Sequence, residues 1–296
     1  MITKEIKCPI CGKIIDIPSF SCKDCSVSGE TFDIYTCSNC LFAVTVPQPS
    51  PLEIGKYYQT NDYVSHSETT KGIVNKLYHL VRMKNMKDKL KLVNHFSVFQ
   101  TDLLDIGCGT GHFLSICKKD GWHVEGVEIN EGARSRTETR TGQLIYSSTD
   151  ALEVSGKKFD VITLWHVFEH LHDINVSFAQ LKRLLKPTGL LILALPNHTC
   201  ADAAHYGEYW AAYDVPRHLS HFSPLSMRLL VKKHQMKLDT IVPMKFDAYY
   251  VSMLSEGLKK REKIKALLHG FRQGYLSNRI ARKTGNYSSL IYLLKS

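Results

Sequence analysis

An apolar run ending in three glycines at alternate positions, Leu103-Leu104-Asp105-Ile106-Gly107-Cys108-Gly109-Thr110-Gly111-His112-Phe113, constrains this chain more than any other stretch. The residues before the glycines have strand character, and those after them space their apolar side chains as a helix does. Glycine suits such a turn because the backbone must take positive φ and come close to whatever lies against it. The sequence repeats this strand-then-helix order. Strand-like runs at 103–106, 123–127, 144–146, 161–164 and 190–195 alternate with helix-like stretches at 113–119, 131–140 and 177–185. That alternation predicts an α/β fold with a parallel sheet covered on both faces. Lys186-Pro187-Thr188-Gly189 reads as the close of a helix before the next strand.

The flanks extend this frame. Residues 73–96 repeat apolar side chains at helical spacing, and 238–242 reads as a further strand. Residues 289–294 form an apolar run at the C-terminus, which makes sense only as a strand the sheet needs. Residues 245–287, basic and helix-favouring around 252–272, are then an insertion between the last two strands. Pro47, Pro49 and Pro51 mark a linker. We expect a module at 1–50, a linker and helical segment at 51–98, and the main domain at 99–296. Residues 1–7 are polar and charged, and the aliphatic run 190–195 is far shorter than the ~20 residues needed to span a bilayer. A soluble, cytoplasmic protein without a membrane span is expected.

Six of the nine cysteines fall in the first forty residues, always as C-x-x-C pairs. Without an export signal, such pairs indicate a metal before disulfides. Cys8-Pro9-Ile10-Cys11-Gly12 and Cys37-Ser38-Asn39-Cys40-Leu41 are two knuckles whose four thiolates suit a closed, tetrahedral, structural Zn2+ site. Cys22 and Cys25 are the alternative second pair. Cys108, Cys117 and Cys200 read as small residues within the fold.

The net charge of +10 is unevenly spread. Residues 71–95 carry seven Lys/Arg against one acid, and 241–296 carry eleven against three. Such clusters mark a nucleic-acid, phosphate or anionic-lipid surface, or simply the solvated faces of two helical segments.

A dinucleotide fingerprint G-x-G-x-x-G would place glycine where this chain has His112. The glycines instead run G-x-G-x-G, with Asp105 two residues ahead, and the next strand ends in Val124-Glu125-Gly126-Val127-Glu128. This pattern resembles class I S-adenosylmethionine-dependent methyltransferases. The resemblance runs over roughly residues 100–240. It takes in Thr149-Asp150-Ala151-Leu152, residues 159–166, and the helix-turn-strand of residues 184–193, where Thr188 stands in place of a more usual glycine. It implies a doubly wound, mostly parallel seven-stranded Rossmann-like sheet preceded by a small zinc-ribbon-like β module. It implies S-adenosylmethionine as cofactor, with Asp105 toward the methionine amino end, Glu128 on the ribose hydroxyls and Asp150 near the adenine amino group. Gly107, Cys108, Gly109, Gly111, Ile129, Ala151 and His166 complete the implied cofactor-binding set.

Two histidine clusters supply candidate bases. His166-Val167-Phe168-Glu169-His170-Leu171-His172 follows the fourth strand. In ubiquinone-type O-methyltransferases the equivalent stretch can hold a divalent cation, but His166 stands where such a site wants another acid. His166 is read as lining the cofactor pocket. Tyr213-Asp214-Val215-Pro216-Arg217-His218-Leu219-Ser220-His221-Phe222-Ser223 follows the fifth strand and resembles the Glu-His-x-x-x-Phe-Ser segment of zinc-containing sugar C-methyltransferases. That match makes His218 the candidate general base. Arg217 replaces the family's glutamate and points to an anionic substrate group, while Tyr57, Tyr58 and His66 are candidates to cap the pocket. The expected function is O- or C-methylation of a small molecule or activated sugar. An rRNA or tRNA methyltransferase touching nucleic acid through its zinc module is the alternative, and a non-catalytic zinc-ribbon interaction protein the second.

Overall fold

The computed structural model describes residues 5–58, 73–97, 101–259 and 262–296. The chain divides into two compact units. One contains Met1–Tyr63, Phe168–Asn175 and Ala194–Tyr292; the other contains Val64–Val167, Val176–Leu193 and Leu293–Ser296.

The first unit opens with β1 (Ile6–Lys7) and β2 (Ile14–Ile15), an antiparallel pair with Ile6 opposite Ile15. Three longer strands follow: β3 (Phe20–Lys23), β4 (Thr31–Thr36) and β5 (Ala43–Val46). They pair antiparallel in the order of the chain. In β4, Phe32 and Ile34 alternate inward with period two and enter a core that also holds Tyr57, Trp210 and Tyr213.

The second unit carries the repeated strand–helix pattern. Helix α1 (Ile73–Phe96) buries Leu90 and Val93. Then come β6 (Asp102–Ile106), α2 (His112–Lys119), β7 (His123–Val127), α3 (Glu131–Thr141), β8 (Ile145–Tyr146), α4 (Asp150–Val154), β9 (Phe159–Trp165), α5 (Ile174–Leu184) and β10 (Leu185–Pro196). β6 pairs parallel with both β7 and β9, and β7 with β8. Helix α2 buries Phe113, Leu114 and Cys117, while Asn130 caps α3 by accepting the Ala133 N–H at 2.9 Å.

β10 begins earlier than the sequence implies. Residues 186–189 lead straight into the strand instead of closing the helix. Proline's fixed φ is compatible with extended backbone, and Lys186 Nζ anchors the segment to Asp102 (2.5 Å) and Asp160 (2.8 Å) at the starts of β6 and β9.

The chain continues through α6 (Ala201–Tyr206), β11 (Ser220–His221), α7 (Pro224–Lys233), β12 (Lys237–Pro243), α8 (Asp247–Leu258), α9 (Lys263–Thr284) and β13 (Ser289–Lys295). The seven-stranded sheet has the order β12-β13-β10-β9-β6-β7-β8, so the C-terminal strand is an interior one, as its apolar sequence requires. The α8–α9 hairpin is the insertion between the last two strands. β11 pairs antiparallel with β5, with Ser220 opposite Val44, which fastens the loop carrying His218 to the N-terminal sheet.

Candidate active site and metal centre

The glycine turn follows β6. Gly107 and Cys108 both donate to the carbonyl of Val127 (2.8 and 3.1 Å), tying the turn to the end of β7. Gly107 has φ +69°, and a Cβ there would lie 2.4 Å from Val167 Cγ2. Gly109 has φ +57°, and nothing lies within 4 Å of where its Cβ would be. The first glycine is thus required by packing and the second leaves open space over the turn, which a ligand can occupy.

Two buried acids flank this space. Glu128 Oε2 accepts the Gly109 N–H at 2.8 Å, and its Oε1 accepts the Asn130 N–H at 2.9 Å. Each carboxylate oxygen retains a second lone pair, so the latch leaves acceptor capacity for a diol. Asp105 is pushed up to about 7 by burial, although the Thr163 hydroxyl donates to it at 2.6 Å. Near neutral pH such an acid is about half ionised, and an approaching cation favours its charged form.

Other residues expected at the cofactor fall around the same strand ends. Ile129 is 86% exposed beyond the tip of β7, a bare apolar surface suited to a flat ring. Asp150 opens α4 and accepts from Gln180 Nε2 at 2.8 Å, with exposed Ala151 next to it. Cys108 is buried in the turn. His166 follows the end of β9 with φ +58°, a left-handed backbone that a non-glycine side chain adopts at a cost. The sequence reading missed Trp165: its ring packs edge-on against Phe113 (5.5 Å), lies 4.4 Å below Lys89 Nζ, and keeps its buried Nε1 without a hydrogen-bond partner among the described residues. Open space at Gly109, two buried acids and an orphaned indole N–H together fit a polar, cationic, ring-bearing cofactor such as S-adenosylmethionine.

The histidine cluster lies in the first unit. His218 is buried, and its Nδ1 is 2.8 Å from the carbonyl of Ala212, so in the neutral ring Nδ1 carries the proton and Nε2 the lone pair. Nε2 is 4.0 Å from Glu169 Oε1 and 3.9 Å from Asp214 Oδ2. The His170 ring stands edge-on to it at 4.6 Å, and burial followed by His218 holds His170 down to about 4. Donor atoms of Glu169, His170 and His218 lie within 4.8 Å of one another, a set that could also hold a cation. His170 Nδ1 lies 2.9 Å from both Tyr58 Oη and the Arg217 carbonyl. Tyr57 is buried and bonds Glu30, whereas His66 lies outside the described residues.

Two residues of the loop have structural duties. His221 is held well below its usual range by burial and bonds Thr45 Oγ1 at 2.9 Å. The Arg217 guanidinium forms a bidentate pair with Asp214 and donates to the Tyr57 carbonyl at 3.0 Å. Its fork is turned inward, where the sequence pointed to a substrate anion.

The sulfurs of Cys8, Cys11, Cys37 and Cys40 lie within 4.8 Å of one another, with Cys8–Cys40 and Cys11–Cys37 each at 3.5 Å. Tetrahedral zinc with Zn–S near 2.3 Å needs sulfurs about 3.8 Å apart, so the four thiols fit that ion. Cys22, buried, and Cys25, exposed, stand outside this group, and none of the nine cysteines is disulfide-bonded.

Comparison with known proteins accords with this geometry. A family model described as a methyltransferase domain matches residues 76–241. A ubiquinone biosynthesis O-methyltransferase of Bartonella tribocorum is 33% identical over 103 residues, covering 33% of this chain and 42% of that protein. A protein of the same name from Brucella anthropi is 32% identical over 103 residues, with the same coverage. The chain thus spans less than half the length of the curated relatives it matches. The solved structure of StiE O-MT aligns with a TM-score of 0.51 at 15% identity, covering 77% of this chain and 78% of that one, a likeness of fold. With its family match extending over more than half of the 296 residues, and with the glycine turn and sheet order described above, the chain belongs to the class I S-adenosylmethionine-dependent methyltransferase family.

Proposed function

We propose that this protein methylates an oxygen of a small molecule, with S-adenosylmethionine as the donor. The open glycine turn between buried Asp105 and Glu128 is the observation that carries the reading, and the O-methyltransferase relatives supply the acceptor class. Bound there, the cofactor supplies a methyl group on a sulfonium, ready for in-line displacement. Glu128 binds the ribose diol, Asp105 balances the ammonium, and Asp150, Ile129 and Ala151 border the base. His166 lines the pocket from the end of β9.

His218 is the general base in this proposal. In the neutral ring the bond at Nδ1 leaves Nε2 as an acceptor nitrogen, and the carboxylates of Glu169 and Asp214 lie beside it. Cys8, Cys11, Cys37 and Cys40 hold a structural zinc ion that rigidifies the N-terminal strands, a role supported by the four gathered sulfurs. Nine cysteines without a disulfide accord with a reducing compartment such as the cytoplasm.

Calorimetry with S-adenosylmethionine and its demethylated product tests the cofactor. Methyl transfer is then screened against phenols and catechols, nucleotide sugars, and rRNA. Turnover of hydroxylated small molecules is expected. Turnover confined to rRNA would replace the small-molecule reading by the nucleic-acid one.

A further inference from the structure

The α8–α9 hairpin takes no part in the sites described above, yet it has an uneven surface. Its two helices pack through small residues. A Cβ on Gly270 would lie 2.6 Å from Met253 Cα, and one on Gly274 would lie 2.7 Å from Tyr249 Cα. Ala266, Ser277 and Ala281 continue this buried line along α9. Several bulky apolar side chains of α9 are left largely exposed. Ile264, Leu267, Leu268, Phe271 and Tyr275 recur with helical spacing along one stripe, and Ile264 is 75%, Leu268 65% and Phe271 60% exposed. The Phe271 ring lies 4.9 Å from that of Tyr249, which carries the apolar surface onto α8.

Beside this stripe runs a basic one. Lys265, Arg272 and Arg279 are spaced by sevens and share a face, one residue step round from Ile264 and Phe271, and all three are exposed. Helix α9 itself contains no Asp or Glu, and the acid at its N-cap, Glu262, pairs with Lys265 at 2.9 Å. We propose that the α8–α9 hairpin docks on an anionic lipid bilayer, lying in its interface with the apolar stripe in the headgroup–acyl boundary and the basic stripe on the lipid phosphates. Charge complementarity selects this occupant. A second copy would set one acid-free basic helix against another, and a nucleic acid would leave the aliphatic stripe in water. No helix among the described residues is long and apolar enough to cross a membrane, so the contact is interfacial.

The test is co-sedimentation of the full chain with sonicated vesicles of phosphatidylcholine alone or with one-third phosphatidylglycerol. Binding is expected to be at least ~10-fold stronger to the anionic vesicles and to weaken with salt. The exposed substitutions Leu268→Glu and Phe271→Glu together should abolish it while leaving the melting temperature unchanged. A Leu268→Trp variant should show blue-shifted emission on the same vesicles. Equal sedimentation of the unaltered protein with and without anionic vesicles overturns the proposal, whatever the variants do. So does a dimer in sedimentation velocity that Phe271→Glu dissociates, or salt-sensitive RNA binding in place of vesicle binding.

Discussion

Glu128 accepts the Gly109 N–H at 2.8 Å, so a carboxylate at the tip of β7 holds the glycine turn after β6 in its open shape. The same carboxylate bonds the N–H of Asn130, the cap of α3, and so couples turn, strand end and helix start. In the proposed function it also receives the ribose diol. Glu128→Ala removes both duties and should lower affinity for S-adenosylmethionine by about 100-fold or more, since bonds to a charged group are worth ~1.5–3 kcal/mol each. Glu128→Gln should fall between the two proteins. Calorimetry measures the loss, and metal analysis should show unchanged zinc. Tight binding by the alanine variant would place the ribose elsewhere.

Asp105 gives a prediction in pH. Its folded-state value, raised by burial to about 7, lies above the ordinary carboxylate range near 4. The folded protein therefore binds a proton more tightly than the unfolded chain, and stability falls as pH rises from about 4 to about 7. Asp105→Asn removes that burden. Without ligand, the variant's melting temperature should match the unaltered protein at pH 4 and exceed it by a few degrees at pH 8, while its cofactor affinity falls. A pH-independent difference would mean that Asp105 is charged throughout.

The parallel sheet was legible because strands buried on both faces write short continuous apolar runs and amphipathic helices write their period; β6, the glycine turn, α2 and β7 all fall where those signals place them. The C-terminal strand was legible for the same reason, as Leu290–Leu294 is apolar throughout. Contacts between distant short segments were not. β11 is two residues long and has no period, so its pairing with β5 left no signature. Arg217 looked available for an anion because nothing in the sequence shows that Asp214, with φ +39°, turns its carboxylate onto the guanidinium. Trp165 carries no periodic signal of its own, although a tryptophan at the C-terminal end of a buried strand that leads to the cofactor side is a usable one.

His218 should matter for turnover and little for cofactor binding. His218→Asn retains a donor for the Ala212 carbonyl but loses the basic nitrogen, so kcat should fall by ~10²–10⁴ with calorimetric affinity for S-adenosylmethionine unchanged. Asp214→Asn removes one carboxylate beside Nε2 and weakens the Arg217 pair, and a smaller loss of kcat is expected. If His218→Asn turns over at the normal rate, the acceptor loses its proton without help from this residue.

The cysteine-rich module offers the most direct separation of ligands from bystanders. Cys37 and Cys40 meet Cys8 and Cys11 across the module, with Cys8–Cys40 and Cys11–Cys37 sulfurs each 3.5 Å apart. Cys25 is exposed and outside the group. Cys37→Ser should therefore purify with less than one zinc per chain, and Cys25→Ser with a full equivalent. A strong chelator should lower the melting temperature of the unaltered protein and of Cys25→Ser alike, because a metal bound only in the folded state adds its binding free energy to stability. Full zinc in Cys37→Ser together with zinc loss in Cys25→Ser would move the ion to the other cysteine pair, and the N-terminal strands would then owe their order to β11 and the surrounding core.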